Sequence, residues 1–288
     1  MHSILMRPER LESGCYRLCF SDMTMEVAPK LGGRIVSFKC RGSELLTQPG
    51  EHAQNYGSTF WDAPQSAWGW PPRAVLDSLP YRAVLDGEAL VLSSAVDPAS
   101  GLRFVKRFAV QASDGAFLIT YRMSNHGRQV HELAPWEVTR VPGSLSFYAC
   151  CDDGALPESA LPVIHSGDGM AWYLFDAAQL AVGRKHFGAA AEGWLAHVTP
   201  ARVLFVKQFD SIRTRQCARG HAPVEIWGQD GGPYIELENH GVCAPLVPGS
   251  SVEYVVRWRA QALPDYVDVR VGNPALVVRA RAMLLGGR

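Results

Sequence analysis

The sequence has no surplus of charge and no long apolar run. Lys plus Arg and Asp plus Glu each number 28 in 288 residues, so the formal net charge is zero. Proteins that bind nucleic acid or membrane surfaces in a general way carry a basic excess, and there is none here. No apolar stretch is long enough to cross a bilayer. The first residues, through Glu12, hold Arg7, Glu9, Arg10 and Glu12 where a secretory leader would hold an apolar core. Cysteine is odd in number, at seven, and irregularly spaced. Cys150 and Cys151 are adjacent, and the Cys15/Cys19 spacing is not that of a usual zinc pair. The expectation is free thiols in a reducing, cytoplasmic setting. Sequence signatures of chemistry are equally scarce. There is no GxSxG, no Walker loop, no GxGxxG, no HExxH and no His-x-His pair, so the sequence points to neither a cofactor nor a metal. Asp152-Asp153-Gly154 lacks the rest of a calcium loop and reads as a turn.

Period-two alternation fills the space these absences leave. Cys15–Phe20 and Met23–Ala28 flank a Ser21-Asp22 turn, and Lys30-Leu31-Gly32-Gly33 is a second turn. Arg34–Cys40 follows as a strand with Val36 and Phe38 inward. Leu90–Val96, Leu102–Val110 and Ala116–Ser124 are joined by Asp97-Pro98-Ala99-Ser100-Gly101 and Ala112-Ser113-Asp114-Gly115, both strong turn signals. Val130–Arg140, Leu145–Cys150, Ala171–Asp176, Arg202–Phe209, Val224–Trp227 and Tyr266–Val271 complete the set. One helix is predicted, in the tail, with Asn273 as cap, Pro274 in the first position and Leu276, Val277, Ala280 and Met283 at helical spacing. No linker divides the chain. The reading is a single all-β domain over 1–288, a large antiparallel sandwich.

The stretch with most chemical content is Pro233–Arg259, PYIELENHGVCAPLVPGSSVEYVVRWR. Alternation puts Tyr234, Glu236 and Glu238 on one strand face and Ile235 and Leu237 on the core face. Carboxylates backed by aromatic rings suit a sugar, because carboxylates accept hydroxyl hydrogen bonds and rings cover C–H faces. The plain alternative is an acidic, solvated strand face. Gly57–Arg73, GSTFWDAPQSAWGWPPR, gathers Trp61, Trp68 and Trp70 beside Asp62 and Gln65, either as a stacking wall with polar handles or as a loop that plugs one end of the sandwich. In Ala134-Pro135-Trp136-Glu137 the proline suggests an edge or a bulge, with Trp136 and Glu137 as candidates for the site. Lys185 and Lys207 offer cations that would hold Glu236 or Glu238 ionised, and Glu225 adds a third carboxylate on a strand.

Together, GGRIVSFKCRGSELL, WDAPQSAWGWPP, NHGRQVHELAPWEVTRV and YIELENHGVCAPLVPGSSVEYVVRW resemble an uncharacterised family within the galactose mutarotase-like (aldose 1-epimerase-like) superfamily. The resemblance spans roughly Gly32 to Arg259. It implies a twisted antiparallel supersandwich with a sugar cleft on one concave face. It also implies that Glu238 takes the place of the epimerase base on the anomeric hydroxyl. The epimerase histidine acid lies on a strand resembling Leu133–Val138, which here reads Leu-Ala-Pro-Trp-Glu-Val and holds no histidine; His131 lies nearby.

The resulting expectation is a carbohydrate-active protein working by acid–base catalysis without a cofactor. Glu238 is the base; Glu236, Glu137 or His131 is the acid; Trp61, Asp62, Gln65, Trp68, Trp70, Trp136, Lys185 and Glu225 bind a small-molecule sugar. A non-catalytic sugar sensor is the rival from another class, favoured by the missing histidine. A lyase or glycosidase on an oligosaccharide is the third. The cysteine pattern gives a direct test: thiol titration of the unfolded, unreduced protein should count seven, and a count of one would mean three disulfides and overturn the cytoplasmic reading.

Overall fold

A computed structural model describes residues 7–154, 156–181 and 184–286. Part of the N-terminal stretch read above, and the ends of the 1–288 span, lie outside the described residues. The strands form an eleven-stranded and a ten-stranded sheet, and the ladders are antiparallel. The all-β antiparallel sandwich expected from the alternation is therefore what forms. Among the described residues, the α-helices are two four-residue turns, Ala74–Asp77 and Ala177–Leu180, and the tail helix Pro274–Leu284. That tail helix is capped as predicted, with the Asn273 side chain accepting from Ala275 N–H. None of the helices is long and apolar enough to cross a membrane.

The two sheets meet through aromatic side chains on alternate positions. Phe38 of Arg34–Cys40 packs its ring on Phe117, Phe205 and Trp258 of the other sheet at 5.4–5.5 Å. Phe60 of Ser58–Ala63 stacks flat on Tyr121 at 4.1 Å. Burying rings of this size supplies the main driving force for closing the sandwich. The turns are set sterically. Gly32 has φ +65, and a Cβ there would fall 1.8 Å from the Asp77 carbonyl oxygen, so the approach of the Ala74–Asp77 turn requires glycine.

Three expectations change. Val36 is half-buried and Ile35 is buried in its stead, because the ladder shifts between Glu26 and Val27 and leaves Val36 as the extra residue of a bulge. Tyr266–Val271 alternates but pairs with no strand; Arg202 holds its approach by donating to the carbonyls of Pro264, Asp265 and Val267. His131–Pro142, expected at an edge or a bulge, is central, flanked by Ser58–Ala63 and Tyr234–His240. Proline is tolerated there because the ladder to Tyr234–His240 begins only at Trp136, and beside Pro135 runs the Gly241 turn, whose N–H donates to the Pro135 carbonyl.

That central strand also moves one candidate residue. Glu137 faces the other sheet and is fully buried. Its carboxylate accepts from Tyr121 Oη at 2.6 Å and pairs with Lys207 Nζ at 2.9 Å. Lys207 also donates to Thr139 Oγ1 and to the Leu237 carbonyl, and burial lowers its pKa. Neither residue reaches the outer face that carries Glu238, so Glu137 is a core residue and Lys207 is not the cation of a cleft. Removing one member of such a pair leaves a buried charge alone. Lys207→Met should therefore cost ~3–5 kcal/mol in urea denaturation. Adding Glu137→Gln should recover part of that loss, since the amide oxygen still accepts from Tyr121 and no charge remains. An equal or larger loss in the double variant would show that the pair's charge is not what matters.

Candidate functional site

The outer face of the eleven-stranded sheet carries a polar and aromatic patch built by register. Trp61 pairs with Trp136, and Trp136 with His240. Thr59 pairs with Val138, Val138 with Glu238, and Glu238 with Glu225. Arg140 pairs with Glu236, Glu236 with Trp227, and Trp227 with Lys185. Because side chains alternate, all of these point to the same side. A cleft of about 510 Å³ opens over them, lined by Trp61, Gln65, Trp70, Trp136, Lys185, Trp227, Glu236 and Glu238, with His52, Gln54 and Asn55 from a loop.

Glu238 lies on the floor, 1% exposed. Its Oε2 accepts from Trp136 Nε1 at 2.8 Å and from Lys185 Nζ at 3.2 Å. Lys185 also pairs closely with Glu225, which is fully buried beneath it. Burial pushes the Glu238 carboxyl up to about 8; Lys185 pulls against this, while the neighbouring Glu225 and Glu236 add to it. Glu225 goes the other way. Burial opposes its charge, but His240, Lys185 and His221 hold it well below the usual carboxylate range, and the Ala222 N–H also donates to it. One lysine serves two buried carboxylates, and the one with more donors stays ionised.

Glu236 is held separately, by Arg140 Nε at 2.8 Å. Arg140 in turn donates to Thr59 Oγ1 and lies over the Trp61 ring at 5.1 Å. Trp61, Trp136 and Val138 form an apolar cluster of their own on this outer face, with Trp68 against it. Trp61 Nε1 is anchored on Asp77 at 2.7 Å, whereas Trp70 is 56% exposed. The segment read as either wall or plug is thus divided. Ser58–Ala63 is a buried strand, with Phe60 in the main core and Trp61 on the cleft side, and the residues after it fold over as a rim. A smaller cavity of about 340 Å³ shares Trp61, Trp70, Gln54 and Asn55 with the first and is lined by Arg34, Arg140 and Asp77.

Of the residues nominated by sequence, Glu236, Glu238, Trp61, Gln65, Trp70, Trp136 and Lys185 converge on the cleft. Four others do not. Glu225, expected among the sugar-binding residues, is fully buried, paired with Lys185, and does not line the cleft. Asp62 points to the opposite side of its strand from Trp61, where Arg73 Nη1 donates to it at 2.8 Å; burial raises its pKa against that arginine. Trp68 donates Nε1 to the Asp62 carbonyl, and His131 Nε2 lies 2.8 Å from the Ser100 carbonyl. Asp62, Trp68 and His131 line a separate cavity of about 610 Å³. Arg140, Trp227, His240, His221 and the 52–55 loop were missed. Alternation from Glu238 would have found His240, and alternation from Glu225 would have found Trp227. Nothing local marks the loop.

The raised Glu238 carboxyl makes stability depend on pH. Between the ordinary value of 4.5 and about 8, the folded protein holds a proton that the unfolded chain has released. This contribution is fully present below the lower value and is lost as pH rises through the upper one. Across that window wild type should lose about 2–5 kcal/mol of unfolding free energy relative to Glu238→Gln, on top of the opposite slope that the buried His186, His197 and His240, their pKa values lowered by burial, give both proteins. Identical slopes in the two proteins would place the proton elsewhere.

No protein-family model and no curated protein matches this chain. Solved structures do match in fold. A galactose mutarotase-like protein from Lactobacillus casei ATCC 334 aligns at TM-score 0.60 and 10% identity, over 86% of this chain and 100% of that one. A galactose mutarotase related enzyme from Lactobacillus acidophilus aligns at TM-score 0.57 and 8% identity, over 89% of this chain and 100% of that one. A TPR-domain containing protein from Parabacteroides distasonis ATCC 8503 aligns at TM-score 0.59 and 12% identity over 88% of this chain, which spans about half (48%) of that protein. The chain thus has the galactose mutarotase-like β-sandwich fold.

Proposed function

We propose that this protein is a carbohydrate-active enzyme that moves a proton at the anomeric centre, or a neighbouring carbon, of a sugar derivative bound in the cleft over Glu238. The observation that carries this reading is the placement of Glu238: a buried carboxyl on the floor of an aromatic-walled cleft, oriented by Trp136 and Lys185 through one oxygen. Its second oxygen, Oε1, is the one left to exchange a proton with a sugar hydroxyl. Glu236 lies in the same cleft on the same strand face and is the partner carboxyl, positioned by Arg140. Glu137 and His131, the other acids considered, lie elsewhere, one in the core and the other lining a different cavity, and the proposal gives them no role. Trp70, Trp227 and Trp61 offer ring faces to the sugar, and Gln54, Asn55 and Gln65 offer amides to its hydroxyls. His52 accepts two backbone N–H groups on Nδ1, from Gln54 and Asn55. The reaction as proposed needs no cofactor. The wider reading is a single-domain cytoplasmic protein of an uncharacterised family within the mutarotase-like superfamily, supported by the motifs quoted above.

One observation favours a second reading, a sugar sensor. Glu236, the cleft's second carboxyl, is already engaged by Arg140, and His52 Nδ1 is occupied by two backbone N–H groups. Anomer interconversion and substrate consumption on a saccharide panel separate the two readings. For an enzyme, Glu238→Gln should cut turnover ~10²–10⁴-fold with binding less affected, and Glu236→Gln should do less. For a sensor, wild type should bind without turnover, and Glu238→Gln should cost ~1–3 kcal/mol of affinity. Full activity in Glu238→Gln removes this residue from the mechanism.

A further inference from the structure

Beside Trp136, on the same outer face but outside the cleft lining, two imidazoles and a carboxylate meet. His221 comes from the loop that leads into Val224–Gly228, Glu225 lies on that strand, and His240 is the last residue of Tyr234–His240. Glu225 Oε1 lies 3.0 Å from His221 Nδ1 and 3.3 Å from His240 Nε2. One ligand atom from each residue lies within 4.8 Å of the other two. His240 is fully buried, and neither of its ring nitrogens makes a hydrogen bond of acceptable geometry among the described residues. A buried imidazole left unpaired costs free energy, so a ring held this way against a carboxylate calls for a partner.

The geometry points to a divalent first-row metal ion of the zinc type, held by His221, Glu225 and His240. Two donors about 2.1 Å from a common ion, at tetrahedral or octahedral angles, lie about 3.0–3.4 Å apart; both His–Glu separations fall in that range, and the two imidazole nitrogens, within 4.8 Å of each other, have to close towards it when the ion binds. Two imidazoles with one carboxylate are a donor set that suits zinc, cobalt or iron, and not magnesium or calcium, which take oxygen ligands. The outer contacts are those of an oriented ligand. Ala222 N–H donates to Glu225 Oε1, while Lys185 holds Glu225 from the cleft side. His221 sits at the rim, 9% exposed in its side chain, and gives the ion its way in. Among the candidate acids and bases, the ion's nearest link to the cleft runs through Glu225 and Lys185 to Glu238. A metal here braces the lysine that orients Glu238 and does not itself touch the sugar. The site stands on its own geometry, whether or not the sugar reading holds.

The test uses the whole protein and the metal alone. After chelation and desalting, the protein is titrated with Co²⁺ and followed by its visible d–d absorption, and the zinc content of protein purified without chelator is measured by elemental analysis. The expected result is one equivalent of metal per chain, with affinity reduced 10-fold or more in His240→Ala and in His221→Ala. His221→Ala, at the rim, is the variant that keeps the test open if His240→Ala fails to fold, with circular dichroism as the check on both. Absence of a saturable cobalt spectrum in the wild type, or an unchanged one in folded His221→Ala, overturns the proposal and leaves the cluster as bent histidine–carboxylate hydrogen bonds. Neither readout depends on sugar turnover, so failure here is distinct from failure of the activity reading.

Discussion

Lys185 is one ammonium shared by two buried carboxylates, Glu225 and Glu238. Much of the site's chemistry follows from that shortage of positive charge. Glu225 draws on His221 and the Ala222 N–H as well as the lysine. Among the described residues, Glu238 has only the lysine and the Trp136 N–H. Two carboxyls in unequal surroundings separate in proton affinity, which is how a protein prepares one of them to hold and release a proton near neutral pH. The same lysine lies 5.5 Å from the centre of the Trp136 ring, so the aromatic wall and the charge cluster share one support.

That cluster stays in register because the other face of the sheet is anchored. Lys207 reaches across from the ten-stranded sheet to Glu137, Thr139 and the Leu237 carbonyl, tying the His131–Pro142 and Tyr234–His240 strands from below. These two strands carry Trp136, Arg140, Glu236 and Glu238 on their upper face. His131–Pro142 thus has an ion pair beneath it and one above, and Tyr234–His240 has a lysine–carbonyl hydrogen bond beneath it and two ion pairs above. A one-residue slip would exchange the two faces and bring the cleft carboxylates into the core. The buried Glu137–Lys207 pair is costly to form, and its place between the sheets suggests specificity of register as the return for that cost.

How much of this was legible depends on whether a feature is local. Alternation is a property of adjacent residues, and it separated Ile235 and Leu237 from Glu236 and Glu238 correctly. It also required that Trp136 and Glu137, being neighbours, face opposite sides, a constraint that rules out both lining one cleft. Asp62 beside Trp61 is the same case. The turn chemistry of Asp97–Gly101 was readable too, since the Asp97 side chain accepts from Ser100 within the same few residues.

Sequence alone therefore determined the fold class, the tail helix and its cap, the turns, and the strand face that bears the two glutamates. The tertiary structure decided which strands became neighbours. Lys185 meets Glu238 only because Lys185–Gly188 and Tyr234–His240 flank Val224–Gly228 in one sheet, and Arg140 meets Glu236 only through the His131–Pro142 ladder. It also sent Lys207 to the core, His131 to another cavity, and His221 to His240. Alternation tells which face a side chain takes but carries no information about which distant strand lies alongside. That choice is made by the packing of the whole sandwich, where burial of the aromatic core is satisfied by one pairing of strands and the charges must find partners within it.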